Sequence, residues 1–524
     1  MGNISWQYLL LGFHILVCAL LATYGLHRYS LVYLYYKYRR NIPRKIGCFL
    51  YRPRVTVQLP MYNEQSVARR IIEATCQIQY PRDKLEIQVL DDSADESAEI
   101  ARDTCERMRA DGHDVSYIHR NNREGYKAGA LAAGLKTARG EFVVIFDADF
   151  VPPPGILNRI IDHFVDPGVG MVQARWEHIN RDQSLLTKSQ AILLDGHFVI
   201  EHAARNRSGR FMSFNGTAGA WRRTCIDDAG GWHHDTLTED LDLSYRAQMK
   251  GWRFVFLPEV TSPAELPPEM NAFKSQQHRW AKGGAQTCRK LLPGILRSRL
   301  PWRIKLEAFF HLTSWVSYFL ILILTLLLLP VLYFKVNAFQ DNPLARFLFD
   351  GSLFLLATCS AGTFYVACQR ELFRTWADSL KYLPFLMSLG VGIALNNARA
   401  AFEGFVGKSS EFVRTPKFGI AGNDAPKWQE HATRHRLDPK RIQAWCELAM
   451  ALYLICCVAY TIYLRVWVGL FFMTLFMVGY VYVALLTFYG QYVGSRGAEV
   501  ISGEAAHAHA SRNHDSSAPF DVLS

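Results

Sequence analysis

The sequence predicts an α/β domain with a mostly parallel sheet, joined to an α-helical transmembrane region. Three observations carry this reading. Between Arg52 and Pro301 short apolar strands alternate with helical stretches in β-α-β-α order, the pattern of a parallel sheet with helices on both faces. One of these strands, beginning at Phe142-Val-Val-Ile145, is apolar without alternation, as expected of a strand covered on both faces. Outside this region lie apolar runs long enough to cross a hydrocarbon core of ~30 Å, several of them flanked by Lys and Arg.

A chain of 524 residues has room for two or three domains. Its 58 Lys and Arg exceed its 47 Asp and Glu, giving a formal charge of +11. Many of the basic residues flank apolar runs, so they mark the cytoplasmic side of a membrane and not a nucleic-acid surface. The eleven cysteines form no Cys-x-x-Cys pair, which argues against a zinc site or disulfide framework and fits a reducing compartment.

Five membrane spans are expected: Leu9 to Tyr36, Phe309 to Phe334, Phe347 to Ala367, Leu448 to Leu464 and Val466 to Tyr489. The first has no Lys or Arg before it and is followed by Lys37, Arg39, Arg40, Arg44 and Lys45. That asymmetry puts the N-terminus outside and argues against a cleaved signal peptide. The apolar run Leu383 to Leu395 is too short to span comfortably and reads as an interface helix. The resulting divisions are 1–45 (first span and basic flank), 46–301 (α/β domain), 302–380 (two spans), 381–441 (interface helix and loop), 442–494 (two spans) and 495–524 (an unstructured Ala-, His- and Ser-rich tail).

Within 46–301 strands are expected at Val55, Leu85, Val115 and Phe142, with helices from Ser66, Ser97 and Gly125. Polar and acidic residues follow these strands repeatedly: Asn63 and Glu64, Asp91 and Asp92, Arg123, then Asp147 and Asp149. All fall at the carboxyl edge of the sheet, where open α/β sheets bind ligands. Asp147 and Asp149 are two apart on an extended chain, so both point the same way and can reach one hard cation, Mg²⁺ or Mn²⁺. Neither a Gly-x-Gly-x-x-Gly nor a P-loop motif is present, so the expected ligand is a nucleoside diphosphate carried with a metal.

Further on, Phe214-Asn-Gly-Thr-Ala-Gly219, including Gly216 and Thr217, is a loop of small residues where backbone can approach a ligand. Thr238-Glu239-Asp240 opens a helix, with Thr238 placed as its N-cap. Acidic residues in a first turn complement the helix dipole, which alone would account for Glu239 and Asp240. Gln276, Arg279 and Trp280 share one helix; Trp can stack on a sugar and Arg can clamp a diphosphate.

Taken in order, Pro60-Met-Tyr-Asn-Glu64, Asp91-Asp92, Asp147-Ala-Asp149, Thr238-Glu-Asp240 and Gln276-x-x-Arg279-Trp280 resemble the membrane-bound processive family 2 glycosyltransferases, the cellulose synthase superfamily. Gln88-Val-Leu-Asp-Asp-Ser, Gly125-Tyr-Lys-Ala-Gly-Ala-Leu, Val172-Gln-Ala-Arg-Trp176 and Phe214-Asn-Gly-Thr-Ala-Gly look most like the mannan and glucomannan synthase branch. Phe412-Val-Arg-Thr415-Pro-Lys417 is similar, though not identical, to the cytoplasmic gating loop of those synthases.

The resemblance implies a GT-A-type, Rossmann-like domain on the cytosolic side, in a bacterial inner or plasma membrane or in the Golgi. It implies nucleotide binding by Tyr62, Glu64, Asp91 or Asp92, Arg123, Lys127 and Asp147, and a Mg²⁺ or Mn²⁺ ion on Asp147 and Asp149. Asp240 becomes the general base. Gly216, Thr217, Glu239, Gln276, Arg279 and Trp280 fall to the acceptor, and Phe412, Thr415 and Lys417 to gating. The implied activity is inverting, processive transfer from GDP-mannose or UDP-glucose to a growing β-linked polysaccharide, passed through the enzyme's own channel. Donor choice stays open, with mannan or glucomannan ahead of a β-glucan. A non-processive transferase making a glycolipid is the nearest rival, and a transporter or membrane scaffold the non-enzyme one.

Overall fold

A computed structural model describes residues 6–338, 343–408, 415, 417–420 and 441–515. Seven strands, β1 (Val55–Met61), β2 (Leu85–Asp91), β3 (Val115–His119), β4 (Phe142–Ile145), β5 (Val169–His178), β6 (Gly219–Arg222) and β7 (Arg253–Ala264), form one sheet. Their order is β3-β2-β1-β4-β6-β5-β7. Only β6 runs antiparallel, to both β4 and β5. The other pairings are parallel, as the alternation of strands and helices predicts.

All four residues of β4 are buried. One face of the sheet packs Val57, Leu59 and Val144 against Ile71, Ile72 and Cys105 of the helices Ala68–Cys76 and Ser97–Ala110. The other face packs Val143 and Ile145 against Leu131 of the helix Tyr126–Thr137 and Leu243 of Glu239–Met249. This second core continues into Leu31 and Leu34 of the helix Trp6–Lys37 and into Phe364 and Cys368 of the helix Pro343–Leu372. Domain and apolar helices therefore share one core. Burying each large apolar side chain there contributes about 1.5–3 kcal/mol.

Among the described residues four helices are long and apolar enough to cross a membrane: Trp6–Lys37, Val316–Lys335, Ile442–Tyr463 and Gly469–Tyr492. The pair Trp376–Gly392 and Ala394–Val406, bent by 44°, would make a fifth. Leu9, Phe13, Leu16 and Leu20 on the first helix are exposed, as befits a surface facing lipid. The chain is a membrane protein.

Three sequence expectations differ from the structure. The span expected from Phe309 is divided, because the helix Trp302–Leu312 ends and Val316–Ala338 begins. Thr313, Ser314 and Ser317 return their hydroxyls to the carbonyls of Phe309, His311 and Ser314, local bonds that compete with a continuous helix. The run 383–395 straddles the break of the bent pair at Ile393, between the helices Leu383–Gly392 and Ala394–Val406, and is not one continuous interface helix. The last helix, Trp467–Asp515, continues past 495, where composition predicted an unstructured tail. The span expected over 347–367 falls within Pro343–Leu372, a helix packed on the first.

Buried polar networks tie the apolar helices to the domain. Glu307 accepts from Arg205 at 2.9 Å and meets His27 of the first helix at 3.2 Å. Lys274 of the helix Met270–Arg297 meets Glu447 at 2.5 Å and Thr487 at 3.2 Å, both on the last two helices. An ionisable residue at membrane depth costs free energy unless paired, and here Lys274 and Glu447 pair with each other.

Candidate active site

The carboxyl edge of the sheet opens into a cavity of about 180 Å³. β4 delivers Asp147 and Asp149 to its floor. The backbone N–H of Asp147 donates to the Thr217 hydroxyl at 2.9 Å. Its carboxylate takes the Lys127 ammonium at 2.5 Å, and the same ammonium donates to the Gly216 carbonyl at 3.0 Å. Burial works to lower the Lys127 ammonium, but Asp147 and Glu239 leave it raised above the usual lysine value. Asp149 is nearly buried and accepts from Lys417 Nζ at 2.6 Å. Each carboxylate is thus paired with an ammonium, and both are oxygen donors of the kind a hard divalent cation takes.

Tyr62, Glu64, Asp92 and Arg123 line the β1–β2 end of the cavity. The Arg123 guanidinium lies 3.3 Å from the centroid of the Tyr62 ring. Asp92 receives two donors from Arg120, at 2.7 Å and 2.5 Å. Asn63 adopts the left-handed backbone (φ 53°) and accepts from the Ala94 N–H at 3.0 Å, which locks the β1 turn to the β2 turn. Asp91 is placed elsewhere. It is fully buried, accepts from Tyr117 at 2.7 Å, and does not line the cavity.

On the opposite side, the helix Glu239–Met249 opens at the cavity. Thr238 is its N-cap residue but gives no side-chain cap bond; its hydroxyl lies 3.1 Å from Thr287 Oγ1 instead. Asp240 accepts the Leu241 N–H at 2.8 Å. Burial and the neighbouring Glu239 carboxylate push the Asp240 carboxyl up to about 7, with Lys127 opposing them. Gly216 sits at φ +79°, and a Cβ there would lie 3.0 Å from Asp240 Oδ2 and 3.3 Å from Lys127 Nζ. The left-handed backbone and these two close neighbours together favour glycine there. Thr217, expected at the acceptor, is fully buried behind Asp147.

Gln276, Arg279 and Trp280 of the helix Met270–Arg297 close the cavity above Asp240. The helix can approach because Gly283 faces Thr238; a Cβ at 283 would stand 2.6 Å from its methyl. Asp240 and Trp280 also line a second cavity of about 560 Å³, which runs between the apolar helices past Tyr24, Trp315, Tyr318 and Phe476. Thr415 and Lys417 lie in the first cavity. Their strand of chain is held by Glu265, which accepts the N–H groups of Phe418 and Ile420 at 2.8 Å and 3.1 Å. Phe412 lies outside the described residues.

His178 and Glu265, which line the cavity, and Arg120, which holds Asp92, escaped the sequence reading, and Trp176 was read only as part of a motif without a role at the site. Arg120 directly follows β3 and could have been found by the strand-end rule that selected Asp92. Glu265 follows β7 and His178 ends β5, so the same rule would have reached them had the two strands been recognised.

An α/β domain with paired carboxylates at a strand end thus meets an aromatic-lined cavity between apolar helices. The family model described as "Glycosyltransferase like family 2" matches residues 53–283. The chain is 45% identical over 252 residues to Glucomannan 4-beta-mannosyltransferase 1 of Oryza sativa subsp. japonica, 47% of this chain and 48% of the rice protein. It is 33% identical over 420 residues to Probable glucomannan 4-beta-mannosyltransferase 15 of Arabidopsis thaliana, 78% of this chain and 74% of that protein. Among solved structures it is similar to the mannosyltransferase PcManGT from Pyrobaculum calidifontis, with TM-score 0.49 and 23% identity, covering 75% of this chain and 100% of that one. The chain belongs to the family 2 glycosyltransferases, in the cellulose synthase-like branch that holds the glucomannan 4-beta-mannosyltransferases. It spans about half the length of the rice relative.

Proposed function

We propose that the chain is an inverting, processive glycosyltransferase that builds a β-linked mannan or glucomannan from a nucleotide sugar. The observation that carries this is the position of Asp240, which lines both the carboxylate-bearing cavity and the long aromatic cavity between the apolar helices. A donor in the first and a polymer end in the second would meet at that carboxylate. The names of the plant relatives favour mannose as the transferred sugar, and with it GDP-mannose over UDP-glucose of the two donors that the resemblance implies.

In this reading Tyr62, Glu64, Asp92 and Arg123 hold the nucleoside, and Lys127 meets the diphosphate. Asp147 and Asp149 would hold Mg²⁺ or Mn²⁺, and their existing cation contacts fit that role. When bound, such an ion supplies positive charge that stabilises a leaving diphosphate. Asp240 removes the proton from the acceptor hydroxyl as that oxygen forms its bond to the anomeric carbon. The bond from that carbon to the diphosphate oxygen breaks, and its electron pair leaves with the diphosphate. Attack from the opposite face converts an α-linked donor into a β-linkage. A carboxyl poised at about 7 is well matched to this task near neutral pH. Trp280 stacks on the acceptor sugar, and Gln276 and Arg279 support it. The basic flank from Lys37 to Lys45 supports a cytosolic domain by the positive-inside rule.

Asp240→Asn tests the assignment: sugar transfer should fall at least a hundredfold while binding of the nucleotide is kept. Full transfer by that variant would remove the base from Asp240 and the reading with it.

A further inference from the structure

Three polar groups on one wall of the carboxylate-bearing cavity have no hydrogen-bond partner among the described residues. They are both ring nitrogens of His178, Nε1 of Trp176 and Oγ1 of Thr415. His178 is 8% exposed and Thr415 2%. Buried polar groups are nearly always satisfied, because burial without a partner costs the full desolvation of the group. Three side chains that carry such atoms line one cavity, so its occupant is the available source of the missing partners.

The sheet says which part of the occupant that is. His178 is the last residue of β5 and stands opposite Ala264, the last of β7. Trp176 is two residues earlier and so shares its face. A register shift after Ala174 turns this strand end towards the cavity. In the sheet β5 is three strands from β1, about 14 Å at ~4.8 Å per strand. Tyr62 and Asp92 stand at the β1–β2 end, and Asp149 after β4 lies between. A nucleoside diphosphate hexose laid along this edge, nucleoside at β1–β2 and diphosphate at Asp149, sets its hexose against β5 and β7.

We infer that His178, with Trp176 beside it, hydrogen-bonds the ring hydroxyls of the transferred hexose and is a specificity-determining residue for the donor sugar. The inference rests on the proposed transferase reading. The chemistry is matched: a sugar hydroxyl both donates and accepts, an uncharged imidazole does the same with its two nitrogens, and an indole N–H donates. Burial holds the His178 imidazole down to about 4, with Asp195 opposing and Arg181 and Arg175 reinforcing, so the ring is uncharged at neutral pH. A site built to hydrogen-bond a hydroxyl rejects an analogue lacking it more strongly than an apolar wall does.

The test compares wild type, His178→Phe and His178→Gln in detergent with Mn²⁺. Binding of GDP, GDP-mannose and monodeoxy GDP-mannose analogues is measured by calorimetry, alongside transfer from GDP-mannose. The expected result is that His178→Phe weakens GDP-mannose roughly tenfold or more, leaves GDP within twofold, and erases the penalty against one deoxy analogue. His178→Gln, which keeps a donor and an acceptor, should recover part of the loss. Unchanged GDP-mannose binding and unchanged deoxy discrimination in His178→Phe would overturn the inference, as would equal weakening of GDP and GDP-mannose. Binding is read apart from transfer. A wild type that binds GDP-mannose through His178 but makes no polymer overturns the processive reading and upholds this one.

Discussion

Lys417 Nζ lies 2.6 Å from Oδ2 of Asp149, so the second carboxylate of the Asp-Ala-Asp strand end is engaged by an ammonium from a segment 268 residues away in the chain. The pair is almost closed to solvent. The ammonium and a divalent ion compete for one carboxylate. Lys417→Met should therefore tighten Mn²⁺ binding about tenfold, since a hydrogen bond to a charged group is worth roughly 1.5–3 kcal/mol. Titration followed by electron paramagnetic resonance measures this directly; equal Mn²⁺ affinity in variant and wild type contradicts the competition.

The Asp240 carboxyl, raised to about 7 by burial and by Glu239, predicts the pH profile. A base acts ionised, so kcat/KM rises tenfold per pH unit below about 7 and levels off above it. Glu239→Gln removes the neighbouring carboxylate and should move the rising limb to lower pH. A limb that stays in place in Glu239→Gln assigns it to another group.

Gly216→Ala places a methyl 3.0 Å from Asp240 Oδ2, on a backbone at φ +79°. Transfer should fall at least tenfold while the folded state survives, because left-handed backbone for a non-glycine residue costs about 1–2 kcal/mol. Thermal unfolding followed beside the transfer rate separates the two effects.

Lys274 and Glu447 are both buried and lie 2.5 Å apart. Glu447→Leu leaves the ammonium unpaired and should cost about 3–5 kcal/mol, whereas Lys274→Met with Glu447→Leu should recover most of the loss. Unfolding of the purified protein in detergent reads both. Since Lys274 shares its helix with Arg279 and Trp280, the single variant should also lose transfer.

Strands β1 to β4 were legible because they are short, apolar and separated by helical periods, and Asp147, Asp149 and Asp92 were legible because they end such strands; β5 and β7, interrupted by Gly170 and by Pro258 and Pro263, were not named from the sequence. β6 was not, since Gly219-Ala-Trp-Arg222 is four residues with a glycine and carries no period. Asp91 and Thr217 read as site residues by adjacency, but each points inward and holds a neighbouring turn or strand end. The break at Thr313 was hidden by an apolar average, which registers transfer free energy but not hydroxyls that return to the backbone. His178 became visible only when the register of β5 with β7 placed it at the cavity.

Asp240 lines both cavities, and in the proposed transferase that one carboxylate serves the donor on one side and the polymer on the other. The most direct measurement is the product made by the purified protein in vesicles with Mn²⁺ and GDP-mannose, with UDP-glucose offered separately and together with it. The expected product is a long polymer that a β-mannanase degrades and that Asp240→Asn does not make. A single glycolipid, or free nucleotide with no polymer, would contradict it.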